Sequence, residues 1–242
     1  TRWTDVTGVQ TCALPICYTA TTGIPSLRTA VAEKLKRDNG LDYGIDQIVV
    51  SAGAKHSLFN SMLATVDYGD EVLVTRPYWV SYPYMVRLAG GVPVMLDVHE
   101  SNDFIPDPDD LREAIIEFKP KAIILNSPNN PTGAVYPREH LKAIGEVCLQ
   151  YGVTIISDEI YEKIVHDGEH VSMAALSPEL YENTITINGL SKAYCMTGWR
   201  MGYSASNRRI ADAISRIQDH STSCITSFVQ KEIGRASCRE RV

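Results

Sequence analysis

The chain has 242 residues, 44% apolar and 21% charged, an ordinary globular composition that excludes disordered, collagen-like and low-complexity classes. Lysine and arginine number 23 against 29 aspartate and glutamate, a net charge of −6, so no basic face is offered to nucleic-acid phosphate or to an anionic membrane. Unbroken apolar stretches such as 122–125 fall far short of the roughly 18 residues that a bilayer-spanning helix needs.

In chain order, residues 1–16 (TRWTDVTGVQTCALPI) carry neither helical nor strand periodicity, and residues 232–242 (EIGRASCRERV) read the same way. Both resemble translated sequencing-adapter sequence. The expectation is a natural protein from 17 to 231, truncated at both ends, with unordered natural termini as the alternative. Pro25 suits a first helical position, Leu27, Val31 and Leu35 share a face, and Gly40 closes that helix. A strand over 47–51 (QIVVS) leads through Gly53 and Ala54 into a helix with Leu58, Met62 and Val66 on one side. Strands follow at 71–75 and 92–96. Asp107 and Pro108 cap a helix to Phe118, and 121–125 (KAIIL) is the next strand. Pro137 opens a helix to Tyr151, 153–157 and 184–188 are strands, and 207–219 is a late amphipathic helix.

Continuous apolar strands alternating with helices predict an α/β fold, a mostly parallel sheet with helices on both faces. Ligands gather at the carboxyl ends of such strands, so the loops after them carry the chemistry. Those loops hold Gly53-Ala54-Lys55, Pro77-Tyr78-Trp79, NSPNNPTG at 126–133, Asp158-Glu159-Ile160-Tyr161 and Gly189-Leu190-Ser191-Lys192. None carries GxGxxG or GxxxxGK[ST], which removes the usual dinucleotide and triphosphate signatures.

NPTG at 130–133, SDEIY at 157–161 and SKAYCMTGWRMGY at 191–203 occur together, each after a predicted strand. In this combination residues 18–231 resemble the fold type I pyridoxal-phosphate enzymes, and among them the class I aminotransferases of the bacterial aspartate aminotransferase type. The resemblance implies that the chain is the large cofactor-binding domain and that pyridoxal 5'-phosphate is the cofactor. It implies that Lys192 is the catalytic lysine that joins the cofactor aldehyde, against the alternative of a solvated surface lysine. By the same likeness Asp158 pairs with the pyridinium nitrogen, and Tyr161 and Asn130 contact the ring's phenolic oxygen. Trp79 stacks on the ring. The bland alternatives are a helix cap, a core tyrosine, a turn asparagine and a core tryptophan.

For the phosphate, Ala54 and Lys55 stand at a helix start whose free N–H groups favour an anion. Ser191 and Arg200 complete that grip by resemblance, with a structural ion pair as the alternative for Arg200. Tyr18 matches a tyrosine that reaches the neighbouring subunit's phosphate, so a homodimer is implied. Gly189 departs from the pattern, since many relatives carry a hydroxyl there. The substrate-contacting set is Lys55, Trp79 and Asn130, with Lys55 on the distal carboxylate of aspartate, and the implied reaction is amino transfer from aspartate to 2-oxoglutarate.

The six cysteines are scattered and read as free thiols; no secretion signal is visible, and the expected location is the cytoplasm. His166 and His170 are four apart, yet Gly168 makes the stretch a turn, so no metal is expected. The family also carries a small domain whose arginine holds the substrate α-carboxylate, and that part is not in this sequence. The alternatives are therefore a non-catalytic fragment, or another activity on the same fold: an aromatic or methionine transaminase, or a cyclising lyase.

Overall fold

In a computed structural model the described residues are 17–237; the first sixteen, read above as adapter-derived, lie outside that range. Helix α1 (Pro25–Asn39) begins on a proline whose missing N–H a first turn would leave unpaired anyway, and it ends on Gly40 at φ 70°. There follow β1 (Ile48–Ser51), α2 (Ala54–Thr65), β2 (Glu71–Arg76), α3 (Ser81–Leu88) and β3 (Val92–Asp97). Helix α4 (Pro108–Phe118) starts at Asp107, whose carboxylate accepts from the N–H groups of Asp109 and Asp110. Next come β4 (Ala122–Asn126), α5 (Arg138–Tyr151) and β5 (Thr154–Asp158). The chain continues through α6 (Pro178–Asn183), β6 (Thr184–Gly189), β7 (Gly202–Ala205), α7 (Arg208–Asp219) and α8 (Ser227–Ser237).

The seven strands form one sheet in the order β1-β7-β6-β5-β4-β2-β3. Strand β7 runs antiparallel to both its neighbours, while β6, β5, β4, β2 and β3 are mutually parallel. Alternation along each strand builds two cores. Leu73, Ile123, Leu125 and Ile155 face one side and meet α4 and α5 through Leu111, Ile115, Leu141 and Ile144. Val72, Val74, Ile124 and Ile156 face the other and meet Leu58 and Met62 of α2, Met85 and Val86 of α3, and Ile214 of α7. A third cluster joins α1, β1 and β7 to Ile225, Val229 and Ile233. Among the described residues no helix is long and apolar enough to cross a membrane.

Four elements were not foreseen: α3, α6, β7 and α8. Helix α8 also corrects the reading of 232–242 as aperiodic, because the helix runs on to Ser237 and Ile233 is buried. The cause is an i, i+4 pair, Val229 and Ile233, which presents one apolar face to α1.

Candidate active site

Strands β4 and β5 end side by side, with Asn126 and Asp158 in register and on the same face of the sheet. That face is covered by α3, and the buried Tyr82 hydroxyl donates to Asp158 Oδ2 at 2.7 Å. Asp158 Oδ1 accepts from the Ile160 N–H at 3.3 Å. No lysine or arginine pairs with Asp158 among the described residues, and burial pushes its pKa up to about 6, against the opposing hydrogen bonds from Tyr82 and Ile160. A buried carboxylate in this condition favours either a proton or an incoming cation.

Asn126 secures the next loop. Its Nδ2 donates to the Asp158 carbonyl at 2.9 Å and its Oδ1 accepts from the Asn130 N–H at 2.8 Å. Asn130 Nδ2 in turn donates to the Tyr161 hydroxyl at 3.3 Å. The half-buried Lys192, in the loop after β6, carries its Nζ 5.6 Å from the Tyr161 ring centroid. Trp79 meets Tyr82 edge to face at 5.4 Å, and Lys55 Nζ lies 4.8 Å from the Trp79 centroid. The ring offsets the cost of a cation in the first turn of α2.

The side of the cleft that holds Arg200 forms where β1 turns into α2. Gly53 takes φ 87°, and a Cβ there would collide with the Arg200 guanidinium. Arg200 Nη1 donates to the Thr197 carbonyl at 2.8 Å and Nη2 to the Ala52 carbonyl at 3.4 Å. Gly189 and Gly202 face each other across β6 and β7, and a Cβ on Gly189 would lie 2.9 Å from Gly202 Cα. A Cβ on Gly202 would strike the backbone of Gly53 and Ala54. The departure noted at Gly189 thus has a packing reason: two bare strands let the start of α2 press against the sheet.

A cleft of about 220 Å³ is lined by Ala54, Lys55, Trp79, Asn130, Asp158, Tyr161, Ser191, Lys192 and Arg200, all foreseen from sequence. Its walls also include Leu58, Tyr82, Asn126, Ile160 and Thr197, which were not. Tyr18 is not in the cleft; it stands 89% exposed. The turn expected between His166 and His170 is present, with Gly168 at φ 82°. His170 joins Glu159 instead, with Nε2 3.2 Å from Oε2. Ser157 and Ser172 also donate to Glu159, while Lys34 and Asn39 hold Glu162, so the carboxylates of this group are already engaged.

The cleft therefore combines an amine, a buried carboxylate without a cation, and a guanidinium beside the start of a helix. The profile of the aminotransferase class I and II family matches residues 17–240, and the chain belongs to that family. Within it, the chain is 50% identical over 214 residues to the aspartate aminotransferase of Geobacillus stearothermophilus, covering 88% of this chain and 54% of that protein. It is 45% identical over 213 residues to the aspartate/prephenate aminotransferase of Thermus thermophilus, with 88% and 54% covered. The solved Thermus thermophilus aspartate aminotransferase with maleate superposes at TM-score 0.87 and 43% identity, over 91% of this chain and 57% of that one. An aromatic aminotransferase from Pyrococcus horikoshii does so at 0.89 and 37%, over 93% and 60%. The chain spans about half the length of the curated relatives it matches.

Proposed function

We propose that this chain is the cofactor-binding part of a pyridoxal-phosphate-dependent aminotransferase which, at its relatives' full length, moves the amino group of aspartate to 2-oxoglutarate. The observation that carries this is Asp158, buried and lacking a cation, in the same cleft as Lys192. Pyridoxal phosphate fits that donor set: a protonated ring nitrogen supplies the missing cation, and Arg200 with the first N–H groups of α2 suits the phosphate. When bound, the cofactor supplies an aldehyde that captures amines and a ring that accepts the electron pair left at the substrate Cα.

The chain's own residues do the rest. Asp158 would hold the proton on the ring nitrogen, and Tyr161 with Asn130 would hold the ring's oxygen. Trp79 covers the ring face. Lys192 Nζ would anchor the cofactor and, once free, would be the base that takes the proton from the substrate's Cα. Lys55, seated over Trp79, is the proposed partner of the substrate's distal carboxylate. Relatives named aspartate aminotransferase support that choice of substrate. The exposed Tyr18 is assigned to the cleft of a second copy, which makes the protein a homodimer, and the four described cysteines, all free thiols, fit a cytoplasmic location.

Incubation of the 242-residue chain with pyridoxal phosphate, borohydride reduction and peptide mass spectrometry tests the cofactor assignment. The expected adduct is confined to Lys192; adducts spread over surface lysines would overturn it. In the full-length protein Lys55→Ala should lower kcat/KM for aspartate about 10- to 100-fold, the scale of a lost charge-assisted contact. An unchanged value with aspartate, or a preference for aromatic amino acids in the parent, would move the substrate elsewhere.

A further inference from the structure

The turn that joins β1 to α2 is only a few peptides long, and nearly every polar group in it is spoken for. Gly53 N–H donates to the Ser51 carbonyl at 2.7 Å, and the Gly53 carbonyl accepts from the N–H groups of His56 at 3.0 Å and Ser57 at 3.3 Å. Ala52 contributes the N–H of one peptide and the carbonyl of the next, and both of these groups are held by side chains. Its N–H donates to His56 Nδ1 at 3.2 Å, and its carbonyl accepts from Arg200 Nη2 at 3.4 Å. One half of this clamp comes from the first turn of α2 and the other from the lead into β7.

The His56 side of the clamp needs a lone pair on Nδ1, so the ring is neutral with its proton on Nε2. Burial, which pushes the His56 pKa below its ordinary value, agrees with that. Releasing the Ala52 N–H would loosen Ala52 about its φ and ψ, and the carbonyl on the far side of its Cα would shift against Arg200. The guanidinium would then lose one of the two carbonyls that hold it beside the start of α2.

We infer that His56 is a positioning residue: by accepting from Ala52 N–H it fixes the residue whose carbonyl seats Arg200, and so sets the cradle for a phosphate monoester. This rests on the cofactor assignment above. The role is separable from ring recognition, because Asp158, Asn130 and Tyr161 belong to other strands and loops.

Binding of pyridoxal phosphate and of pyridoxal, which lacks the phosphate, to the parent chain, His56→Ala and His56→Asn tests it, with circular dichroism and a melting curve run on each. In His56→Ala the affinity for pyridoxal phosphate should fall about fivefold, the worth of one positioned hydrogen bond, while that for pyridoxal stays unchanged. In His56→Asn the amide Oδ1 replaces Nδ1 as acceptor, and the parent's preference for the phosphorylated aldehyde should return. Equal weakening toward both aldehydes in His56→Ala, no weakening at all, or an asparagine variant as weak as the alanine one would overturn this role and leave the cofactor assignment standing. A parent chain that binds both aldehydes alike would overturn the assignment and this inference together.

Discussion

Asp158 carries a cost of burial that the fold tolerates. Its carboxyl is buried, and its pKa is pushed up to about 6, above the ordinary value near 4. In the cofactor-free chain the neutral carboxyl therefore contributes stability that is full below pH about 4 and is lost as pH rises through about 6. Asp158→Asn should remove that dependence, leaving the variant more stable than the parent above pH 6 by on the order of 1–3 kcal/mol and equal to it near pH 4. Urea midpoints measured from pH 4 to 8 check this, and parallel curves for parent and variant would refute it. At this scale the sequence was informative where a motif fixes a residue type at a fixed distance from a strand end, as for Lys192, Asp158 and Asn130. Tyr82 and Asn126 were not legible. Tyr82 reaches Asp158 only because α3 folds over that face, and Asn126 matters only through its register with Asp158.

Among the elements, the meeting of α2 with β7 is the tightest contact near the cleft. Gly202→Ala should push the start of α2 off the sheet, costing about 1–3 kcal/mol as overpacking does. It should also weaken cofactor binding through the displaced N–H groups of Ala54 and Lys55. Calorimetry together with cofactor titration reads both, and a variant that melts and binds like the parent would show that the contact yields. The strands and helices read correctly were those with long apolar runs or a capping signal, such as Asp107 before α4. Strand β7 is only GYSA, flanked by no apolar run, and it gains its place from pairing on both sides. Helix α3 was hidden by Pro83, which punctuates a chain in most settings but is tolerated in a first turn. Helix α6, six residues long, offers too few turns to show a period.

Across the whole molecule, α1 is tied to the loop that carries Tyr161 by a buried ion pair, Lys34 with Glu162, and by Asp38 with Lys163 at 3.1 Å. Glu162 also accepts from Asn39, so the helix ends its last two turns on that loop. Lys34→Ala should cost about 3 kcal/mol, because it strands a buried carboxylate, whereas Lys34→Met with Glu162→Gln should cost much less. Denaturant unfolding of the parent and these two variants decides it, and a double variant as costly as Lys34→Ala would contradict it. This long-range tie was invisible in the sequence, since it joins residues more than a hundred positions apart.

The order of the sheet has a consequence for the timing of folding. Strand β1 is made early, yet it reaches the sheet only through β7, which is synthesised about 150 residues later. Until residue 205 has left the ribosome, β1 and the turn after it have no strand to join in the sheet. The side of the cleft proposed for the phosphate is thus the last part of the sheet able to assemble, and pairing this distant is slow to close. A nascent chain arrested before β7 should have no means of gripping the cofactor's phosphate, and one released after it should.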